Sequence, residues 1–138
     1  AEKLRVEGHL TETEVEQVTK ARRGQGVFRA NLEKIESSCR VTGASNPKHL
    51  IASHIKPWSK SDNRERLDGN NGLLLSPHID HLFDKGHITF SDNDDLLISA
   101  SADREALEKW HVRQTNVGTF NVYQLTYLRY HRESVFND

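Results

Sequence analysis

The stretch GLLLSPHIDHLFDKG, residues 72–86, leaves the chain around it little freedom. Its opening GLLL reads as a short, fully apolar strand. Ser76 then suits a helix N-cap and Pro77 the first helical position, while Gly86 supplies the stop. Ile79, Leu82 and Phe83 form the buried stripe of that helix. Asp80 and Asp84 stand one turn apart on a neighbouring face, with His78 and His81 beside them. Like charges at this spacing cost a few tenths of a kcal/mol (~0.2–0.5), so some other part of the fold should want them there.

The remaining elements can be read around this unit. TETEVEQVTKAR (11–22) has the features of a helix, with Thr11 as N-cap and Glu14 three residues on. RGQG (23–26) reads as a break, followed by a second helix over about 27–38. TGASNP (42–47) is a turn-rich loop. HLIASHIKP (49–57) is a strand closed by its proline, and 58–71 is a polar loop. After the central helix, HITFS and LLISA flank DNDD as a hairpin. DREALEKW (103–110) and VYQLTYLRYHRESVF (122–136) are helices, the latter amphipathic through Val122, Leu125, Leu128 and Val135. The order α, α, β-loop-β-α, β-hairpin, α, α defines a small α+β domain. Residues 1–26 form an N-terminal helix and connector, and 27–138 the main unit.

A chain of 138 residues is long enough to bury one core. Nineteen basic residues against 20 acidic give a net charge of −1, which excludes a strongly basic nucleic-acid binder, although Lys20, Arg22, Arg23 and Arg29 cluster. One cysteine, Cys39, excludes an internal disulfide and a Cys-rich zinc ribbon, and it favours a reducing, cytoplasmic setting and a place in the core. No run approaches the ~18 apolar residues of a membrane span and no signal peptide opens the chain. The start at Ala1 and the absence of methionine suggest a processed product or a piece of a longer protein.

Four residues of the central unit carry chemistry. His54 ends the first strand, Asn71 precedes the second, and Asp80 and Asp84 lie on the helix, so two strands packed on one helix can bring all four to one side. Paired carboxylates suit a hard divalent cation, a neutral histidine can take a proton from water, and an amide can tie a loop through backbone hydrogen bonds. Each has an ordinary reading as well. A strand histidine is often structural, two aspartates can be a solvated helix face, and Asn71-Gly72 can be a plain turn. Arg22, Arg23 and Arg29 are either phosphate contacts or a solvated basic face, and the same holds for Arg129, His131 and Arg132. Trp58 reads as a packing anchor.

ASHIKPW, NGLLLSPHIDHLFDKGHITF and YLRYHRESVF together resemble the HNH endonuclease family, whose site is the ββα-metal finger; the resemblance covers roughly 20–136. It implies His54 as general base and Asn71 as the organising residue. Asp80 and Asp84, nine and thirteen positions after Asn71, become the metal ligands, Asp84 the less secure of the two. The residue before the base is commonly Asp or His in the family and is Ser53 here, a weak ligand. Two aspartates where many relatives have histidine favour Mg²⁺ or Mn²⁺ over Zn²⁺. A weaker alternative pairs His78 with His81, or His81 with Asp84. DNA is the implied partner, with Arg22, Arg23, Arg29 and Lys56 as candidate contacts. The chain resembles C-terminal nuclease domains of modification-dependent restriction enzymes, which implies a separate recognition domain and a homodimer, or two encounters, for a double-strand break. Two other functions compete: a nucleic-acid-binding module of the same fold with weak catalysis, and a structural metal-binding interaction domain.

Overall fold

All four residues of GLLL are buried, so the strand they form is covered on both faces. In the computed structural model, which describes residues 11–138, the elements run α1 (Glu12–Glu33), β1 (Ile51–His54), α2 (Asn63–Leu67), β2 (Gly72–Leu75), α3 (Pro77–Asp84), β3 (Ile88–Phe90), β4 (Leu96–Ile98), α4 (Arg104–Lys109) and α5 (Val122–Ser134). Single 3-10 turns lie at Pro47–His49 and Trp58–Lys60. β1 and β2 are antiparallel, with His54 opposite Gly72 and Ile51 opposite Leu75. Both α1 and α3 pack against this pair, giving the ββα finger expected from the sequence. β3 and β4 form the expected hairpin as a second two-stranded sheet. The fold is therefore α+β, a small finger with flanking helices and an added hairpin.

Ile79, Leu82 and Phe83 are buried as expected, and Phe83 packs on Phe90 of the hairpin. Ser76 takes the N-cap position of α3, but its hydroxyl bonds Thr42 Oγ1 at 2.7 Å instead of a helix amide. Gly86 ends α3 at φ +76°, and a Cβ there would sit on the Val135 carbonyl oxygen. The tail returns to this turn, with the Asn137 amide donating to the Gly86 carbonyl at 2.9 Å. Arg40 ties the segment after α1 to the one before α5. It pairs with buried Glu36 at 2.6 Å, donates to the carbonyls of Val117, Gly118 and Thr119, and lies 4.1 Å over the Phe120 ring.

Three expectations are corrected. The break at RGQG does not occur: α1 is one helix through both glycines, opened by the Thr11–Glu14 capping box. Two helical glycines cost about 1 kcal/mol each relative to alanine. Neither glycine is required by packing: a Cβ at Gly24 would make ordinary contacts with Trp58 at 3.4 Å and Leu67 at 3.7 Å, and one at Gly26 would meet nothing, so the helix carries this cost on its other contacts. The helix stops at Glu33, short of residue 38, and the division between 26 and 27 falls inside it; residues 1–10 lie outside those described. The polar loop over 58–71 contains α2, nucleated by an Asp62–Glu65 capping box. Finally, α5 buries Gln124, Tyr127, Leu128 and His131, whereas Val122 is 69% exposed. Its inward polar groups have partners: Gln124 Nε2 donates to Glu36 at 3.3 Å, and His131 is bonded through both ring nitrogens.

His131 stacks on Phe83 at 3.8 Å. Its Nε2 lies 2.9 Å from the Phe83 carbonyl, and that acceptor fixes the proton on Nε2, so Nδ1 accepts from Thr89 Oγ1 at 2.8 Å. Burial pushes its pKa down from 6.5 to about 4, against the Phe83 bond, which acts the other way. Below pH 6.5 the unfolded chain takes up a proton that the folded imidazole refuses, so stability falls as pH drops from 6.5 to about 4 and is fully present above that window. The loss should reach roughly 3 kcal/mol. Urea unfolding of wild type and His131→Phe across this window should show a steeper decline for wild type. Gly86→Ala, strained in its turn, should lower stability by about 1 kcal/mol or more in the same assay.

Candidate active site

β1 delivers His54 at its end, where the chain turns toward Pro57. The imidazole lies flat on Phe28 of α1, with centroids 3.6 Å apart and planes 15° from parallel, and Trp58 meets its edge at 5.7 Å. His54 Nε2 is 2.9 Å from the Arg66 carbonyl oxygen. A carbonyl only accepts, so Nε2 carries the proton and Nδ1 keeps the lone pair of the neutral ring. Burial holds the pKa below its ordinary value, opposed by the Arg66 bond, and the ring is neutral at pH 7. Nδ1 makes no hydrogen bond among the described residues, and it is not sealed off; the one buried ring nitrogen without a partner among them is His87 Nδ1. His54 borders a cleft of about 370 Å³ between α1 and β1.

Asn71 is fully buried and bonded on every polar group. Its Oδ1 accepts from the Lys56 amide at 2.8 Å, and its Nδ2 donates to the Glu65 carbonyl at 3.1 Å. Its main-chain carbonyl accepts from Ile55 at 3.1 Å, and its amide donates to Asp68 at 2.9 Å. The exit of β1 is thereby fastened to α2, whose Arg66 supplies the acceptor for His54. Lys56 reinforces the same join through a 2.8 Å ion pair with Glu65, and it lies 5.2 Å over Tyr130. That Lys56 hydrogen bond, with the Asp62 amide, holds the Glu65 carboxyl below its usual range.

Ser53 is 1% exposed, and strand alternation sends its side chain to the opposite face from its neighbour His54. Asp80 is 8% exposed, whereas Asp84 is open to solvent. Among the described residues, no three His, Cys, Asp or Glu side chains group closely enough to hold a metal ion. The candidate donors are thus two carboxylates one turn apart and one hydroxyl, all hard oxygen. That set fits a cation that keeps several waters and binds through one or two carboxylates plus substrate phosphate; it does not fit a closed zinc cage. The alternative histidines gather elsewhere, His78 and His81 edge-on to Trp110 at 5.9 and 6.4 Å, and His81 6.5 Å from His87.

The four candidate phosphate contacts divide. Arg22 and Arg23 are exposed on α1. Arg29 donates to the carbonyls of Leu50 at 2.9 Å and Pro47 at 2.8 Å, and Lys56 is paired as described. On α5, Arg129 meets Glu133 at 3.1 Å and Arg132 binds the Phe90 carbonyl and Asp92. Two neighbours of His54 escaped sequence reasoning. The Arg66 carbonyl is main chain and leaves no side-chain signal. Phe28 lies on a helix whose distance from the finger in sequence hides the contact.

Residues 39–91 match the family model described as HNH endonuclease. That span holds β1, the Asn71 join, β2 and α3, and it is an HNH endonuclease family segment. No curated protein matches the chain. A solved structure described as a modification dependent TagI restriction endonuclease aligns at 18% identity and a TM-score of 0.45, covering 84% of this chain and 37% of its own length. The chain thus spans little more than a third of that protein.

Asn71→Ala would strip partners from several buried backbone groups at once. It should lower stability by about 2–3 kcal/mol, read as a shift in denaturant midpoint at unchanged slope.

Proposed function

We propose that this chain is a divalent-metal-dependent DNA endonuclease domain, with His54 as its general base. The observation that carries this reading is the state of His54 within an HNH segment: a neutral ring, protonated on Nε2 by its Arg66 carbonyl partner and unpartnered at Nδ1. A base must be unprotonated at working pH and hold its lone pair toward the proton it removes. Nδ1 would take the proton from a water attacking phosphorus, and the Arg66 carbonyl would stabilise the imidazolium that results. Asn71 would keep that carbonyl in place. Asp80 and Asp84 would hold the cation, Asp80 from a buried position and Asp84 from the surface. When bound, the cation would supply positive charge against the charge that builds on the phosphate oxygens. Ser53, with a hydroxyl where a carboxylate or imidazole would bind more strongly, is the least suited of the proposed ligands.

Oxygen-only ligands favour Mg²⁺ or Mn²⁺ as the working ion. Arg22 and Arg23 are the best placed of the candidate phosphate contacts, since both are exposed. Target choice is assigned to another part of a longer protein, because phosphate contacts position without specifying sequence. One site cuts one strand, and a double-strand break would require two such domains.

Cleavage of supercoiled plasmid, with and without modified bases, tests the reading. Wild type should nick in Mg²⁺ or Mn²⁺ and not in EDTA. His54→Ala and Asp80→Ala should each lose at least ~10²-fold in rate while remaining folded. A His54→Ala protein as fast as wild type would remove the base from its role.

A further inference from the structure

α1 spans Glu12–Glu33 and lies wholly outside the matched segment 39–91, yet it supplies the surface on which His54 rests. We infer that Phe28 is a positioning residue for the reaction, and that α1 is thereby part of the catalytic apparatus; this rests on the nuclease reading given above.

Three features of the structure converge on it. First, the contact is face to face, 3.6 Å between centroids at 15°, which fixes the plane of the imidazole and leaves its edges free. The Arg66 carbonyl takes one edge nitrogen, and a ring held by one hydrogen bond can still pivot about it. A flat surface against the ring removes that pivot. Second, Phe28 is itself immobilised. It is 1% exposed and sits in the core with Leu32. Third, the finger makes room for it. His54 stands opposite Gly72 across the hairpin, and a Cβ at Gly72 would lie 2.9 Å from Phe28 Cε1 and closer still to Cζ. Gly72 has no side chain where Phe28 needs the space, and Gly72, Phe28 and His54 make one stack. Trp58 stands nearly perpendicular to the imidazole, 5.7 Å away, held in turn by the Arg66 guanidinium 4.6 Å over its ring. The same residue thus contributes its carbonyl to His54 and its side chain to the ring beside it.

Orientation of a reacting group is worth large rate factors, and small misplacements cost correspondingly. Phe28 touches no substrate in this account and acts only through His54. Substituting it should therefore lower the rate of the chemical step and leave DNA affinity nearly unchanged.

The test compares wild type with Phe28→Leu and Gly72→Ala. Leucine fills the space without a flat face, and alanine at 72 pushes on the ring at its Cζ end. Each is measured for melting temperature, DNA affinity, single-turnover plasmid cleavage in Mg²⁺, and the NMR signal of the His54 Nε2–H proton, which the Arg66 carbonyl protects from exchange. Phe28→Leu is expected to melt cooperatively, bind DNA within about twofold of wild type, cleave ~10-fold or more slowly, and lose the Nε2–H signal. Gly72→Ala should behave as Phe28→Leu does. Either variant at wild-type rate with the signal retained would overturn the inference, as would a loss confined to DNA affinity. If folded wild type cleaves nothing, the nuclease reading fails, and the Nε2–H signal still decides whether Phe28 sets the ring.

Discussion

One buried amide holds the site together. Asn71 exchanges hydrogen bonds with the Lys56, Ile55, Glu65 and Asp68 main chain from a position with no solvent access. Without it, the end of β1 and the short α2 would be two loops of unrelated position. With it, the Arg66 carbonyl stands at a fixed place relative to His54. A five-residue helix such as α2 is not stable alone. It persists because its capping box, the Lys56–Glu65 pair and Asn71 all act on the same few residues. The acceptor for one imidazole is thereby held by main-chain geometry.

Several arginines of this chain are spent on its own backbone. Arg29 closes on the Leu50 and Pro47 carbonyls, Arg40 on three carbonyls before α5, Arg66 on that of Trp58, and Arg132 on that of Phe90. The planar guanidinium fork suits this work, since it reaches several acceptors at once. Those guanidinium groups are engaged within the fold, while Lys20, Arg22 and Arg23 stay exposed on α1.

The finger was legible because each of its signals is local. GLLL, the Ser-Pro start, the Lys-Gly stop and the spacing from Asn71 to Asp80 all lie within sixteen residues, 71–86, and the folded finger follows them. The hairpin around DNDD was legible for the same reason. RGQG reads as a break because glycine's local cost is visible, whereas the contacts that carry α1 through it, such as Phe28 on His54, are tertiary. The D-x-x-E of α2 was present in the sequence at Asp62 and Glu65 but was submerged in a polar stretch. On α5 the apolar pattern misled, because the inward positions Gln124 and His131 are polar groups satisfied by partners far along the chain. In the site, residue types were readable and their directions were not. Strand alternation separates Ser53 from His54, and only the fold reveals that Phe28 and a carbonyl are what His54 touches.

The central claim is that His54 is a neutral imidazole with its proton on Nε2 and its lone pair on Nδ1. Its ring ¹⁵N shifts, followed by long-range ¹H–¹⁵N correlation from pH 8 to pH 4, test this without reference to activity. A pyrrole-like Nε2 and a pyridine-like Nδ1 are expected at neutral pH, with protonation below the ordinary histidine range. A ring protonated on Nδ1 at neutral pH, or one that titrates above 6.5, would contradict it.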